Sequence, residues 1–372
     1  MRKDKQKLCV IYNTAPRYRE AIFQAIDKEY ECDWYFGKTK SDIKEMDLSL
    51  LKRTKYYKTF GNPNKVCVKV GVLKLLFKKE YQRFFILAEV RSLTDWVFFF
   101  LAYLLFPKKK VYVWTHGWYG REKGFDAKMK LWLYNHVDGT FVYGDRAKSL
   151  LIAQGIPESK LFVIYNSLQY DDHINLRATL QTSDIYKEHF QNNYPVIVVI
   201  GRLNMRKKLD LLLKSLEILK TRGESYNVIF IGDGEDRQSL EKLTYKLDLN
   251  NNVWFYGACY NELENANLII NADLCVVPGD IGLTAIHVMT FGIPVITHDL
   301  FSSQGPEFEV IKEGVTGSFF EYDNTEDLAN KISLWFTKNI NNRHNVRLAC
   351  YEEIDSKWNP VYQMKVITEN LR

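Results

Sequence analysis

The chain has 372 residues, 46% apolar and 26% charged, with a net charge of +6. That length suits two domains of about 150–200 residues each, and the balance excludes a disordered or fibrous protein. Six scattered cysteines (Cys9, Cys32, Cys67, Cys259, Cys275, Cys350) form no CxxC pair; a reducing compartment, no disulfide framework and no metal site are therefore expected. The N-terminus, MRKDKQKLCVIYNTAP, is charged at its start and carries too short an apolar run for a signal-peptide core.

In chain order, short apolar runs alternate with helical patterns, which predicts stacked βα units and parallel sheets. LCVIY (8–12) reads as the first strand, YREAIFQAI (18–26) as a helix and YECDWYF (30–36) as the second strand. FFILA (84–88) precedes a helix that starts near Thr94 or Asp95 and stops at Phe106, before Pro107 and three lysines. Its apolar run, Trp96 to Phe106, has eleven residues, well short of the roughly 20 needed to cross a membrane. It reads either as a helix buried against the sheet or as a surface that docks on a membrane. KVYVWTHG (110–117), GTFVYG (139–144) and KLFVIYNSL (160–168) are further strands, with a helix ending at Gly155 between the last two.

Residues 171–194 are polar and without apolar period, so the interdomain linker is placed there. The second half begins again with PVIVVIGRL (195–203), NVIFIGDGE (227–235), VWFYG (253–257), ADLCVVPG (272–279) and IPVITH (293–298). Each is a strand ending at a polar or Gly-rich turn, where ligands of such sheets bind. Charge follows the same division. Residues 1–170 hold 31 Lys+Arg against 17 Asp+Glu, and the remainder 20 against 28. A basic half beside an acidic one points to an anionic partner. No nucleic-acid recognition motif is present, which leaves an anionic membrane, a phosphate-linked acceptor or a merely solvated surface.

Three segments carry chemistry. In GRLNMRKKLDLLLKSLEIL (201–219), a strand delivers Gly201 and Arg202 to a helix entrance, with Lys207 nearby. Arg grips phosphate with two parallel N–H bonds and Lys adds a point charge, although MRKK also reads as a solvated run. In VIFIGDGEDRQSLEKL (228–243), Gly232 and Gly234 read as a tight turn, and the first strand lacks GxGxxG, against a nicotinamide dehydrogenase. In PGDIGLTAIHVMTFGIPVITHD (278–299), a helix begins around Gly282, Leu283 and Thr284, with His287 one turn deeper, as a structural or a functional imidazole.

Together these segments resemble GT-B fold glycosyltransferases of family 4 (group 1) type, as a bacterial polysaccharide or capsule-type variant. Gly201, Arg202 and Lys207 match the family's G-R-x-x-x-x-K. Gly282, Leu283, Met289, Gly292, Pro294, Val295 and Ile296 match its G-L-x-x-x-E-A-M-x-x-G-x-P-V-I. Glu309, Gly314, Thr316 and Gly317 match its last acidic segment. YVWTHG (112–117), GIPESKLFVIYNS (155–167) and DSKWNPVYQ (355–363) extend the likeness to nearly the whole chain. One departure stands out: where the family carries two Glu separated by seven residues, this chain has Gly279 and His287, with Asp280 one place from the first.

The resemblance implies an α/β protein of two Rossmann-like domains, with parallel sheets, helices on both faces and a cleft between the domains. Residues 1–172, plus a C-terminal helix 355–372 packing back on them, would bind the acceptor. Residues 173–354 would bind the nucleotide-sugar. It implies sugar transfer to a glycan or lipid-linked acceptor in surface polysaccharide or glycoconjugate synthesis, with retained configuration and neither metal nor cofactor. Arg202 and Lys207 would neutralise the leaving diphosphate, and His116 would face sugar or acceptor unless it is only a structural residue under its Gly turn. Gly201, Asp280, Gly282, Leu283, Thr284, His287 and Glu309 would contact the donor. Arg17 and Arg19 would hold an acceptor phosphate. A cytoplasmic enzyme on the inner face of the cell membrane is expected. Two rivals are a non-catalytic GT-B protein binding nucleotide or a partner, and a nucleotide-sugar epimerase or hydrolase.

Overall fold

The computed structural model describes residues 7–38, 44–62 and 65–371; the charged start of the N-terminus, through residue 6, lies outside them. The chain divides into two compact units, Met1–Gln169 with Asn359–Arg372, and Tyr170–Trp358.

The first unit contains β1 (Lys7–Tyr12), β2 (Glu31–Gly37), β3 (Thr54–Tyr57), the antiparallel pair β4 (Thr59–Gly61) and β5 (Cys67–Lys69), then β6 (Arg83–Leu87), β7 (Lys110–Thr115), β8 (Gly139–Val142) and β9 (Leu161–Val163). Among the described residues the main sheet has seven strands, all parallel, in the order β3-β2-β1-β6-β7-β8-β9. The second unit contains β10 (Val196–Ile200), β11 (Asn227–Ile231), β12 (Val253–Gly257), β13 (Leu274–Val276), β14 (Val295–His298) and β15 (Gly317–Phe320). Its described strands form a parallel sheet in the order β12-β11-β10-β13-β14-β15. Every residue of β10 and of β11 is buried, as a sheet covered by helices on both faces requires. In each sheet the winding direction reverses beside the first strand, between β1 and β6 and between β10 and β13. A crevice at the carboxyl ends of the strands follows from such a reversal.

One expectation is corrected. Residues 171–194 are not a loose linker: they form the helices Tyr170–Thr179 and Ile185–Phe190, and both belong to the second unit. Their anchors, His173, Tyr186 and Phe190, are buried but too widely spaced to show an apolar period, and the Tyr186 hydroxyl donates to the Leu268 carbonyl at 2.7 Å. The helix predicted to end at Phe106 spans Leu93–Leu105 and is buried on one face only. Phe98, Phe99 and Ala102 enter the core, while Leu93, Val97, Phe100 and Leu104 form an exposed apolar row at helical spacing.

The hairpin sends a lysine into the first core. Lys69 on β5 is buried, with its ammonium 2.7 Å from Glu89 and 2.8 Å from Asp95. Burial opposes its charge, but Asp95, Tyr57 and Glu89 overrule that and hold its pKa well above the ordinary value. At the end of the chain, the helix Pro360–Asn370 returns to the first unit. Its Gln363 accepts from the Ser167 hydroxyl at 2.6 Å and donates to the Tyr165 carbonyl at 3.1 Å, and Ile367 and Leu371 join the core beside Phe23 and Ile26.

Candidate functional site

The winding reversal between β10 and β13 brings together two of the segments singled out from the sequence. Gly201 leaves β10 with φ +127°, a conformation L side chains rarely adopt, and a Cβ there would stand 3.7 Å from the Thr284 hydroxyl. That hydroxyl donates to the Ile200 carbonyl at 3.0 Å, so the start of the helix Thr284–Thr290 is tied to the end of β10. Gly282 and Leu283 form the turn into that helix.

Farther along, the 3-10 turn Met205–Lys207 is zipped to the loop after β13. Gly279 N–H donates to the Lys207 carbonyl at 2.8 Å and Asp280 N–H to the Arg206 carbonyl at 3.0 Å. In return the Lys207 ammonium donates to the carbonyls of Asp280 at 2.7 Å and Ile281 at 3.0 Å. Burial pulls its pKa down, against the opposing charge of Asp280. Arg202 is exposed at the end of β10. Two cationic side chains and the two turns that carry them therefore lie at one strand edge.

Sequence reasoning missed the residue that fixes this loop from behind. Buried Gln304 accepts from Ile281 N–H at 3.1 Å and donates to the Thr297 hydroxyl at 2.9 Å. Thr297 in turn donates to the carbonyls of Val277 at 2.9 Å and Gly279 at 3.2 Å. No motif marks a glutamine for this task. In the acidic segment, Glu307 approaches the loop: a Cβ on Gly305 would meet the Glu307 carboxylate at 2.6 Å and that of Asp280 at 3.6 Å.

In the first unit, His116 is exposed just past β7, its ring 4.9 Å from that of Tyr143. Arg17, an expected acceptor residue, is exposed after β1. Arg19 departs from it: at 3% exposure it lies under Tyr143, donating to that hydroxyl at 2.6 Å with Trp114 beneath it at 5.1 Å. Aromatic rings stabilise the guanidinium inside the core, a burial that a two-arginine turn in sequence does not reveal. Where the first sheet reverses, Asn13 donates to Glu89 at 3.3 Å.

Comparison with known proteins now bears on this arrangement. The family model for glycosyl transferases group 1 matches residues 181–352. The uncharacterized glycosyltransferase MJ1607 of Methanocaldococcus jannaschii is 28% identical over 185 residues, 46% of this chain and 44% of its own length. The sulfoquinovosyl transferase SQD2 of Arabidopsis thaliana is 25% identical over 206 residues, 54% of this chain and 38% of its own length. Alignment thus spans less than half of these curated relatives. Among solved structures, HepE of Anabaena in complex with UDP matches with a TM-score of 0.73 at 18% identity, covering 98% of this chain and 99% of that one. The lipopolysaccharide outer core galactosyltransferase WaaB matches with a TM-score of 0.71 at 16% identity, over 98% and 99%. The chain has the GT-B fold, and its second unit is a group 1 glycosyl transferase domain.

Within this glycosyl transferase domain the two departures acquire a physical reason. A Cβ at Gly279 would lie 2.0 Å from the Arg206 carbonyl oxygen, so the zipped turns leave no room for any side chain there. The neighbouring carboxylate does not substitute freely either. Asp280 accepts from Gly305 N–H at 3.3 Å and pairs with Arg206 at 3.3 Å, so it is bound within the loop. His287 is engaged by Glu262, its Nε2 lying 2.6 Å from that carboxylate. The glycosyl transferase domain also has a cavity of about 510 Å³ bordered by Tyr194, Tyr226, Asp273, Trp335 and Arg343. It opens where β10, β11 and β14 begin, the opposite edge from the turns, and so is not the donor site.

Proposed function

We propose that the chain transfers a sugar from a nucleotide-sugar, bound by its second unit, to a glycan or lipid-linked acceptor in surface polysaccharide or glycoconjugate synthesis. Transfer proceeds with retained configuration and without a metal at the diphosphate. The single observation that carries this reading is Lys207, a half-buried ammonium fixed between two turns at the β10/β13 reversal, with Arg202 at the same strand end. A preorganised cation of this kind stabilises charge that develops on a leaving diphosphate, because it needs no reorganisation as the bond breaks. Arg202 adds a fork able to take two phosphate oxygens. The complexes of HepE with UDP and with UDP-glucose support a nucleotide-sugar as the ligand class. On this reading His116 and Arg17 serve sugar and acceptor from the first unit.

The test is a thermal-shift panel of UDP, GDP, ADP and their common sugars, followed by product analysis with and without acceptor. One nucleotide family is expected to raise the melting temperature, with release of the diphosphate and a glycosylated product when acceptor is present. No shift with any nucleotide removes the reading. A shift without turnover favours a non-catalytic binder, and a changed sugar without acceptor favours an epimerase or hydrolase.

The acceptor is placed at the cytoplasmic face of an anionic membrane. No helix of the described residues is long and apolar enough to cross one. Instead, the exposed row Leu93, Val97, Phe100 and Leu104 is accompanied by exposed Phe60, Val68, Val70 and Phe77. Over residues 58–108 the exposed charges among the described residues are Lys58, Lys65, Lys74, Lys79, Arg91 and Lys108 against Glu80 alone. Apolar side chains rimmed by lysine suit the headgroup boundary, each cation adding about 1 kcal/mol near an anionic leaflet. The protein is expected to sediment with phosphatidylglycerol vesicles, less with phosphatidylcholine, and about tenfold less as Phe100→Ser/Leu104→Ser. Equal partition into both lipids, or no loss in the double variant, refutes this placement.

A further inference from the structure

Three helices of the second unit bring together a side-chain cluster with no counterpart in the sequence motifs: His173 on Tyr170–Thr179, Glu262 at the start of Glu262–Asn271, and His287 on Thr284–Thr290. From this cluster we infer that His173, Glu262 and His287 form a site for one divalent transition cation of the zinc class.

Geometry comes first. Nε2 of His287 and Nε2 of His173 stand 2.6 Å and 3.3 Å from the same Glu262 oxygen, and the three ligand atoms all lie within 4.8 Å of one another. With metal–ligand distances of about 2.0–2.2 Å, the atoms of a tetrahedral site are roughly 3.3–3.6 Å apart. The longer contact already has that spacing, and the shorter one needs an opening of under about 1 Å.

Chemistry and burial agree. Two imidazoles and a carboxylate are borderline donors, suited to zinc, cobalt or nickel and unlike the all-oxygen shells of magnesium or calcium. Among the described residues, the two histidines are the ion-pair partners of Glu262; no lysine or arginine is paired with it. Independently, His173 is only 5% exposed, Nδ1 has no hydrogen-bond partner, and its other nitrogen is aimed at Glu262. A cation on Nε2 would leave the ring proton on Nδ1, so the ring can ligate without giving up a hydrogen bond there. Glu262 keeps 38% of its side chain exposed, which gives the ion a way in and a fourth position for water. All three ligands sit on helices, and the carboxylate-bearing one is capped by Asn261, which accepts from Leu263 N–H at 3.1 Å. The site shares His287 with the expected donor contacts but includes neither Lys207 nor Arg202, and the cation has no part in the chemistry at the diphosphate.

The experiment uses the full chain, stripped with a chelator and free of nucleotide, so that its outcome is separate from that of the donor panel. Titration with ZnCl2 in a calorimeter is expected to show one equivalent bound. Co2+ is expected to give the strong visible bands of four-coordination, displaced by Zn2+ and not by Mg2+. Glu262→Gln and His173→Gln, checked for an unchanged far-UV spectrum, should each weaken Zn2+ binding by more than about tenfold. Cys259→Ser should leave it unaltered. The inference is overturned if wild type shows no saturable one-equivalent binding, if Mg2+ displaces Co2+, if both Gln variants bind as wild type does, or if binding is lost with Cys259.

Discussion

Lys207→Ala is expected to lower turnover by about 10²–10³, the loss typical when one preorganised charge at a developing anion is removed. The position of the ammonium decides this effect. Its two hydrogen bonds to the carbonyls of Asp280 and Ile281 fix it at the loop after β13, at the edge where Arg202 also stands. The same bonds give the variant a structural cost of about 1–3 kcal/mol, which a melting curve reads separately from turnover. Arg206→Ala is the natural control, since its Asp280 pair has the arginine side chain 82% exposed and contributes little. Steady-state kinetics with the donor from the thermal-shift panel decides the matter. Turnover within tenfold of wild type takes Lys207 out of the leaving-group role.

Lys69→Ala is expected to cost about 3–5 kcal/mol of stability, measured by urea denaturation. The lysine side chain is 1% exposed and that of Asp95 is 3% exposed, with Glu89 on the other side of the ammonium. Removing the cation leaves two like-charged carboxylates close together with only neutral donors, among them Asn13 and the Ser92 hydroxyl, and one of the two lies inside the first core. The cation is also the link from β5 to the helix Leu93–Leu105, since the Lys69 N–H donates to the Thr94 hydroxyl at 2.8 Å while its ammonium holds Asp95. A loss below about 1 kcal/mol would mean that water or rearrangement satisfies the pair, and that the cluster is not a closed one.

How much of this was legible in sequence depends on the length and purity of each signal. Strands such as VIVVI (196–200) and NVIFI (227–231) are buried on both faces, so they read as near-continuous runs rich in Val and Ile. β3 (TKYY) and the pair β4 and β5 (TFG and CVK) give no strand signal because they are only three or four residues long and partly exposed. Of the site, Gly201, Lys207 and Thr284 were legible because local turns and phosphate-ready residue types coincide there. The trio of His173, Glu262 and His287 was not, since its members come from three helices far apart in the chain and one lies in a stretch that reads as linker. Gln304 was invisible for a different reason: its work is to satisfy a loop's backbone, and any polar residue in a loop carries the same weak signal.

The returning helix Pro360–Asn370 sets an order of assembly. A ribosome making this chain finishes β1 through β9 first, yet the hollow that receives Ile367 and Leu371 stays unlined until the last dozen residues emerge. Meanwhile the second unit, contiguous from Tyr170 to Trp358, takes in no later segment of the chain. The first unit is thus closed after the second although its strands are made earlier, and a chain cut before residue 359 lacks the helix that covers Phe23 and Ile26.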